Sequence, residues 1–391
     1  LGNNPDQIYF QGGSVRTDFR MINFGIPYFI SGLTTVQNSA TLTIEPGVEL
    51  RFNPAATNPR LIIGESGTGT SGGLIARGTA SQPIIFTSDA ADPEPGDWAN
   101  IVFRSNVTDD SIIAHAVIEY GGYPSQGNIY ISGSSPAIQN CMVRFIADSG
   151  IHLYDSNSEI SCTEIQHNIT GIHTALSNPV ITNNNLSGNV NYGLYNNSAA
   201  SVVDARHNWW GDPSGPAGVG SGSGDAVSNY VVYDPWLTQK SACILEPAMA
   251  VEPTAVDFGP VGIGDVSGIQ VVSISNQGPG GLMIDGLDVA ADSDFFLADR
   301  SCLRRFLAAG DFCDVWLAFA PNNIGDRAAS LVISSNDPAA SEVVVDLTGQ
   351  GQLVTDFDYD LDVDGRDLAT LAADPDLILL SVFAGSFGRR Y

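Results

Sequence analysis

Lysine is almost absent from this chain. Lys240 stands alone beside 15 arginines, and the 16 basic residues face 43 acidic ones, for a formal charge of −27. So few cations on so acidic a surface exclude nucleic acid and anionic membranes as partners. Charged residues of both signs make up only 15% of the 391 positions while Gly and Pro number 42 and 21, which excludes a helical bundle. Five cysteines without a C-x-x-C spacing exclude a disulfide-built scaffold, a zinc ribbon and c-type haem. The longest mostly apolar run, residues 377–384, is far short of a membrane span, so no membrane insertion is expected. From Leu1 there is no basic stretch leading into an apolar core, so no signal peptide is expected within the sequence. What the chain does have is 43% hydrophobic residues, enough for real cores, and a length that fits two or three domains. Of its acids, 33 are Asp, a residue suited to turns and hard-cation sites rather than helix interiors.

The first two thirds repeat. Ile138, Ile160, Ile181 and Val203 are separated by 22, 21 and 22 residues, as are Asn140, Cys162, Asn183 and Ala205. Val143, Ile165 and Leu186 keep nearly the same period, and Ile113, His115 and Ile118 read as an earlier, less regular rung. Gly150, Gly171 and Gly193 each open a short alternating strand: Gly-Ile-His, Gly-Ile-His, Gly-Leu-Tyr. A period near 22 with two-residue alternation and no helical spacing predicts a parallel β-helix, in which each coil lifts the chain by one strand spacing and like stacks on like. Aliphatic ladders then form the core, and Asn at a fixed offset hydrogen-bonds its neighbours or adopts left-handed backbone. The Leu-x-x-Leu-x-Leu signature of a leucine-rich repeat is missing.

Leu-Thr-Ile-Glu-Pro-Gly-Val (42–48), Gly-Thr-Ala-Ser-Gln-Pro-Ile-Ile-Phe-Thr-Ser (78–88), Gly-Asp-Trp (96–98) and Asn-Trp-Trp-Gly (208–211) with Ser214, Gly215 and Pro216 resemble secreted bacterial right-handed β-helix repeat proteins. The resemblance spans about residues 20–237 and implies the fold and an extracellular address. Its relatives include polysaccharide lyases, epimerases and surface proteins, so it implies no single activity. Trp209, Trp210 and Trp236 are expected to cap the last coil.

Coil vocabulary stops at residues 241–252, which read as a Pro-containing linker. From 253 to 352, short alternating strands separated by Gly, Asn and Pro turns predict a β-sandwich. Val-Asp-Phe-Gly (256–259), Ser-Asn-Gln-Gly (275–278), Phe-Ala-Pro (319–321) and Leu-Val-Ile-Ser-Ser-Asn-Asp-Pro (331–338) resemble the immunoglobulin-like module called choice-of-anchor D. Cys302 and Cys313 within it are expected to pair in an oxidising compartment. Cys141 and Cys162 are 21 apart, but Cys162 matches Asn140 in the ladder, so they are not expected to pair, and Cys243 is left over.

Residues 353–391 form the tail. Asp356, Asp358, Asp360, Asp364 and Asp367 fall at positions 1, 3, 5, 9 and 12 of a loop, with Asp362 at position 7, the oxygen-donor spacing that wraps Ca²⁺. The pattern resembles a single dockerin-like repeat, except that Leu361 stands where Gly normally supplies the sharp turn. Residues 377–384 read either as the second helix of this calcium module or as a strand pairing with another subunit.

All five histidines, at 115, 152, 167, 173 and 207, lie in the repeats. Tyr130, His152, His173 and Tyr195, spaced 22, 21 and 22 apart, each follow an inward residue (Ile129, Ile151, Ile172, Leu194), so alternation points them outward as one row. Such a row packs structurally, stacks on sugar rings or, through its His pair, holds a transition metal. Asp109 and Asp110 near Arg104, Asp148 near Arg144, and Asp204 with Arg206 and His207 are the available acid-base groupings, and no catalytic set stands out among them. Asn106, Asn168, Asn185 and Asn196 stand in N-x-S/T sequons. The expected protein is thus all-β: a right-handed parallel β-helix over 1–240, a linker over 241–252, an immunoglobulin-like β-sandwich over 253–352 and a small calcium-binding tail over 353–391. Its expected role is extracellular or cell-surface and structural or adhesive, with Ca²⁺ bound and a homo-oligomer or filament formed through the tail; polysaccharide binding or cleavage is the alternative.

Overall fold

A computed structural model describes residues 7–65, 70–290 and 294–352. No helix occurs among the described residues, and the chain divides into two compact units between Ile244 and Leu245.

The first unit is a parallel β-helix of three sheets, each gaining one strand per coil. The third sheet carries the first three rungs of the ladder read from the repeats: Ile138 pairs with Ile160 and Ile160 with Ile181, with Ile113 paired below Ile138, and all four are buried. The expected fourth rung is displaced: Val180 pairs with Asp204, so buried Ala205 rather than Val203 stands over Ile181, and His207 rather than Ala205 takes the turn position of Asn183, because this coil is two residues longer. In the first sheet Ile118, Val143, Ile165 and Leu186 stack in the same way, and in the second Ile129, Ile151, Ile172 and Leu194. Each such side chain contributes roughly 1.5–3 kcal/mol of apolar burial. Equal spacing in sequence becomes direct stacking in space because every coil repeats the same set of turns.

One turn in each of five successive coils bends through a left-handed residue: His115, Asn140, Cys162, Asn183 and His207 have φ between 49° and 60°. Asn140 and Asn183 are exposed there, and the hydrogen-bond ladder lies one residue further on. Thr163 N donates to Asn184 Oδ1 (2.9 Å), and Asn184 N donates to Asn208 Oδ1 (2.9 Å). The amides of Asn184 and Asn208 donate back to the Ile160 and Ile181 carbonyls, each at 2.8 Å. A second internal ladder runs Asn168, Asn189, Asp225. Burial pushes the Asp225 carboxyl above its usual range, against the pull of these hydrogen bonds. Three of the four sequon asparagines, Asn168, Asn185 and Asn196, are buried; the fold uses them as internal polar groups.

The C-terminal end of the coil is closed. Trp209 accepts a bond from Leu186 N through its carbonyl, Trp210 is fully buried, and Trp236 lies against Gly215, with its indole N–H donating to the Pro213 carbonyl. Residues 241–252, expected as a linker, are divided between the two units. Ser241 N donates to Asn185 Oδ1, and Cys243 is disulfide-bonded to Cys162 across 81 residues, with the Cα atoms 5.6 Å apart. Met249–Glu252 already forms a strand of the second unit. Cys141 is the free cysteine, and burial pushes its thiol up to about 12.

The second unit is a β-sandwich. Its four-stranded sheet orders Met249–Glu252, Gln270–Asn276, Phe312–Phe319 and Phe295–Asp299; its five-stranded sheet orders Ala255–Gly262, Glu342–Gln352, Gly325–Ser335, Leu282–Val289 and Phe306–Leu307. Val272, Ile274, Phe295, Phe319, Ile333 and Leu347 are among the residues filling the core between them. A disulfide joins Cys302 to Cys313, Cα to Cα 5.7 Å.

Candidate functional site

The second sheet of the β-helix holds Ile129–Ser132, Ser149–Tyr154, Thr170–Ala175 and Tyr192–Asn196 on successive coils. Tyr130 pairs with His152, His152 with His173 and His173 with Tyr195, so the four side chains form one column. Period-two alternation puts them outside because Ile129, Ile151, Ile172 and Leu194 face the core. Ring centroids are 5.2, 4.1 and 5.1 Å apart down the column. The two imidazoles are nearly parallel, 16° between planes, while Tyr130 and Tyr195 are turned by 70° and 54° to their neighbours.

This arrangement revises two of the expectations. Imidazole lone pairs lie in the ring plane, so a metal placed in the plane of one stacked ring would lie well out of the plane of the other; the stack as it stands is a poor chelate. Among the described residues no group of three or more His, Cys, Asp or Glu is placed to hold a metal ion. The facing sides of His152 and His173 are also covered by one another, so a sugar would meet the edges of these rings rather than lie flat on them.

The surroundings add to the column. Tyr192 lies 5.0 Å from Tyr195, and Tyr154, 43% exposed, pairs with Ser132 beside the row. In loop 121–127, which leads into the sheet, Tyr123 carries the Arg60 guanidinium over its ring at 4.6 Å, and Ser125 N donates to Asp148 Oδ2 at 2.6 Å. Five of the twelve tyrosines thus lie on this sheet or on the loop leading into it.

Burial holds the His152 imidazole down to about 4, helped by the neighbouring His173 and opposed by Asp148 and a backbone bond with Ser125. His173 is lowered by burial too, again against Asp148. Both rings are therefore uncharged at neutral pH. Among the described residues, His152 Nδ1 and His173 Nε2 are buried and make no hydrogen bond, which leaves the stack with unused polar capacity.

The other acid-base groupings are not assembled. Arg144 pairs with Glu119 at 2.9 Å, with both side chains about 2–3% exposed, and Thr87 donates to the same carboxylate. Asp204 and Arg206 form an exposed pair at 2.6 Å. A second aromatic column went unread: Tyr120, Phe145 and His167 stack at 5.5 and 5.6 Å on a left-handed turn between the first and second sheets. Its 25- and 22-residue spacing was the available signal, blurred by the irregular early coil. The expected calcium ligands, Asp356, Asp358, Asp360, Asp362, Asp364 and Asp367, and the apolar run at 377–384 lie outside the described residues.

Residues 13–134 match the model of the pectate-lyase-like β-helix domain family, a stretch that includes Tyr130 but ends before His152. No curated protein matches the chain. Among solved structures, a PapD-like domain of human CEP192 is 15% identical over 27% of this chain and 86% of that one, with a TM-score of 0.22. The secreted serine protease VesC from Vibrio cholerae is 18% identical over 33% of this chain and 26% of its own, with a TM-score of 0.23. A protein of unknown function from Porphyromonas gingivalis W83 is 19% identical over 33% of this chain and 60% of its own, at 0.25. The chain spans about a quarter of the Vibrio protease, and TM-scores this low bear on neither fold nor function.

Proposed function

We propose that the chain is an extracellular or cell-surface polysaccharide-binding protein whose second β-helix sheet is the binding face. The observation that carries this reading is the in-register column of Tyr130, His152, His173 and Tyr195, with exposed Tyr154 beside it. Successive coils rise by about 4.8 Å, close to the length of one sugar unit, so a linear polymer lying along the coil axis meets the same kind of contact at each step. The pectate-lyase-like family likeness over residues 13–134 fits this reading. Two disulfides support an oxidising compartment.

A structural or adhesive role is the second reading. It is favoured by the donor spacing of Asp356, Asp358, Asp360, Asp364 and Asp367, which suits a Ca²⁺-organised tail for attachment or self-assembly. The sandwich then serves as a choice-of-anchor D-like spacer and the tail as a dockerin-like repeat. Affinity electrophoresis of the full chain through a panel of soluble polysaccharides tests the first reading. Retardation by at least one polymer, weakened in His173→Ala and Tyr154→Ala, is expected; free migration through every gel would overturn it. Electron microscopy with and without chelator tests the second, which monodisperse monomers in both conditions overturn.

A further inference from the structure

We propose that the binding face selects uncharged, hydroxyl-rich polysaccharides over uronate or sulfated ones, with His152 and His173 as the pair that sets this choice. The inference rests on the polysaccharide-binding reading and adds the class of polymer.

Hydrogen-bonding capacity is the first ground. An uncharged imidazole offers one donor and one acceptor, and a phenol hydroxyl likewise both donates and accepts. A sugar hydroxyl has the same dual character and can satisfy either partner. Carboxylate and sulfate oxygens only accept, so against this column they leave every acceptor unmatched. The unpartnered nitrogens, His152 Nδ1 and His173 Nε2, are themselves buried, so a polymer would meet the half-buried His173, Tyr130 and Tyr195 and the exposed Tyr154, all of them dual-character side chains.

Charge is the second. The carboxylate that acts on both imidazoles is Asp148, fixed by bonds from Ser125 N and from Ser149 N and Oγ. Arg60, three strands from the His152 strand in the same sheet, lies over Tyr123, and Arg104 directly follows the strand Ile101–Phe103, two strands away. These are no match for a charged group on each unit of an anionic polymer, and the chain as a whole carries −27. An anionic polymer would approach against the field of the protein and find uncharged rings where it needs cations.

Affinity electrophoresis and calorimetry of the full chain decide the matter, with EDTA present so that calcium cannot bridge an acidic polymer to the acidic tail. The probes are a soluble β-glucan, a xylan and a mannan against polygalacturonate, alginate and a sulfated galactan, at low and at physiological salt. At least one neutral polymer is expected to bind tenfold or more tightly than every anionic one, with the gap narrowing as salt is added. His173→Ala should weaken neutral binding about tenfold, whereas His173→Gln, which keeps a donor and an acceptor without charge, should stay within about threefold. His173→Arg should raise anionic binding relative to neutral. Thermal unfolding of each variant separates a binding defect from a folding defect. Anionic binding equal to or tighter than neutral binding overturns this inference and leaves the binding face standing. Retention by no polymer overturns the polysaccharide-binding reading and this inference together.

Discussion

His152 and His173 sit on adjacent coils with ring centroids 4.1 Å apart and 16° between their planes. Two imidazoles in face-to-face contact cannot both be charged cheaply, and burial penalises the charge on each, so the fold stores a preference for their neutral forms.

That preference sets a pH dependence. The unfolded chain protonates these residues near 6.5, while folded His152 resists until about 4. Between those values the unfolded state binds more protons, so stability is complete above about 6.5 and is lost as pH falls toward 4. His152→Gln should remove part of this loss. Unfolding free energies of the first unit from urea titration should fall further between pH 7.5 and pH 4.5 in the parent than in the variant, by on the order of 2–3 kcal/mol. An equal fall in both would mean that the rings titrate freely.

Asn183 and Asn184 are neighbours with opposite duties. Asn184 accepts from Thr163 N and donates to Ile160 O, both inside the coil, whereas Asn183 is exposed at φ 58°. Asn184→Ala should cost about 2–4 kcal/mol because it leaves buried backbone groups unpaired. Asn183→Ala should cost less, about 1–2 kcal/mol at most, the strain of an ordinary side chain in left-handed backbone. Chemical denaturation of the two single variants makes the comparison directly.

These two asparagines also mark where sequence reasoning stops. Period alone identified the column holding Ile138, Ile160 and Ile181 because a rigid coil converts equal spacing into direct pairing. Both asparagines obey the same period, so spacing cannot tell which faces inward; that depends on which residue takes the left-handed turn. The row of Tyr130, His152, His173 and Tyr195 was legible through strand alternation. Its stacked geometry was not, since ring orientation follows from packing rather than spacing. The Cys162–Cys243 bond was illegible for another reason: Cys243 follows the repeats and reaches back across 81 residues, outside any periodic rule.

The Cys162–Cys243 bond should stabilise the first unit by closing a long loop. Cross-linking over this separation restricts the unfolded chain by up to roughly 4–5 kcal/mol in the entropic account. Cys162→Ser with Cys243→Ser should therefore lower the melting temperature of the first unit while leaving that of the sandwich unchanged. Calorimetry that resolves the two units is the measurement, and an unaltered first transition would show that the closure carries no stability.

The buried Glu119–Arg144 pair gives a sharper contrast. Replacing only one partner leaves a charge in the interior, so Glu119→Gln should destabilise by about 3–5 kcal/mol. Replacing both by apolar residues of similar size, Glu119→Leu with Arg144→Met, removes the stranded charge and should recover most of that loss. Thr87, which donates to Glu119 at 2.8 Å, then loses its partner, so recovery is expected to be incomplete by about 1 kcal/mol unless Thr87→Val is added. The pair would prove structurally idle if Glu119→Gln unfolded at the same urea concentration as the parent.

The acidic tail makes the last prediction, and it follows from donor spacing alone. One Ca²⁺ per chain should bind through Asp356, Asp358, Asp360, Asp364 and Asp367, with the backbone carbonyl of Asp362 as a further ligand. Asp367→Ala, which removes the acid at position 12, should abolish binding in calorimetry. Leu361 occupies the position at which such loops turn sharply, and a bulky side chain resists the backbone that the turn needs. Leu361→Gly should therefore tighten the site, by about threefold to tenfold if relieved strain is on the order of 1 kcal/mol. Calcium binding that ignores both substitutions would place the ion elsewhere in this acidic chain.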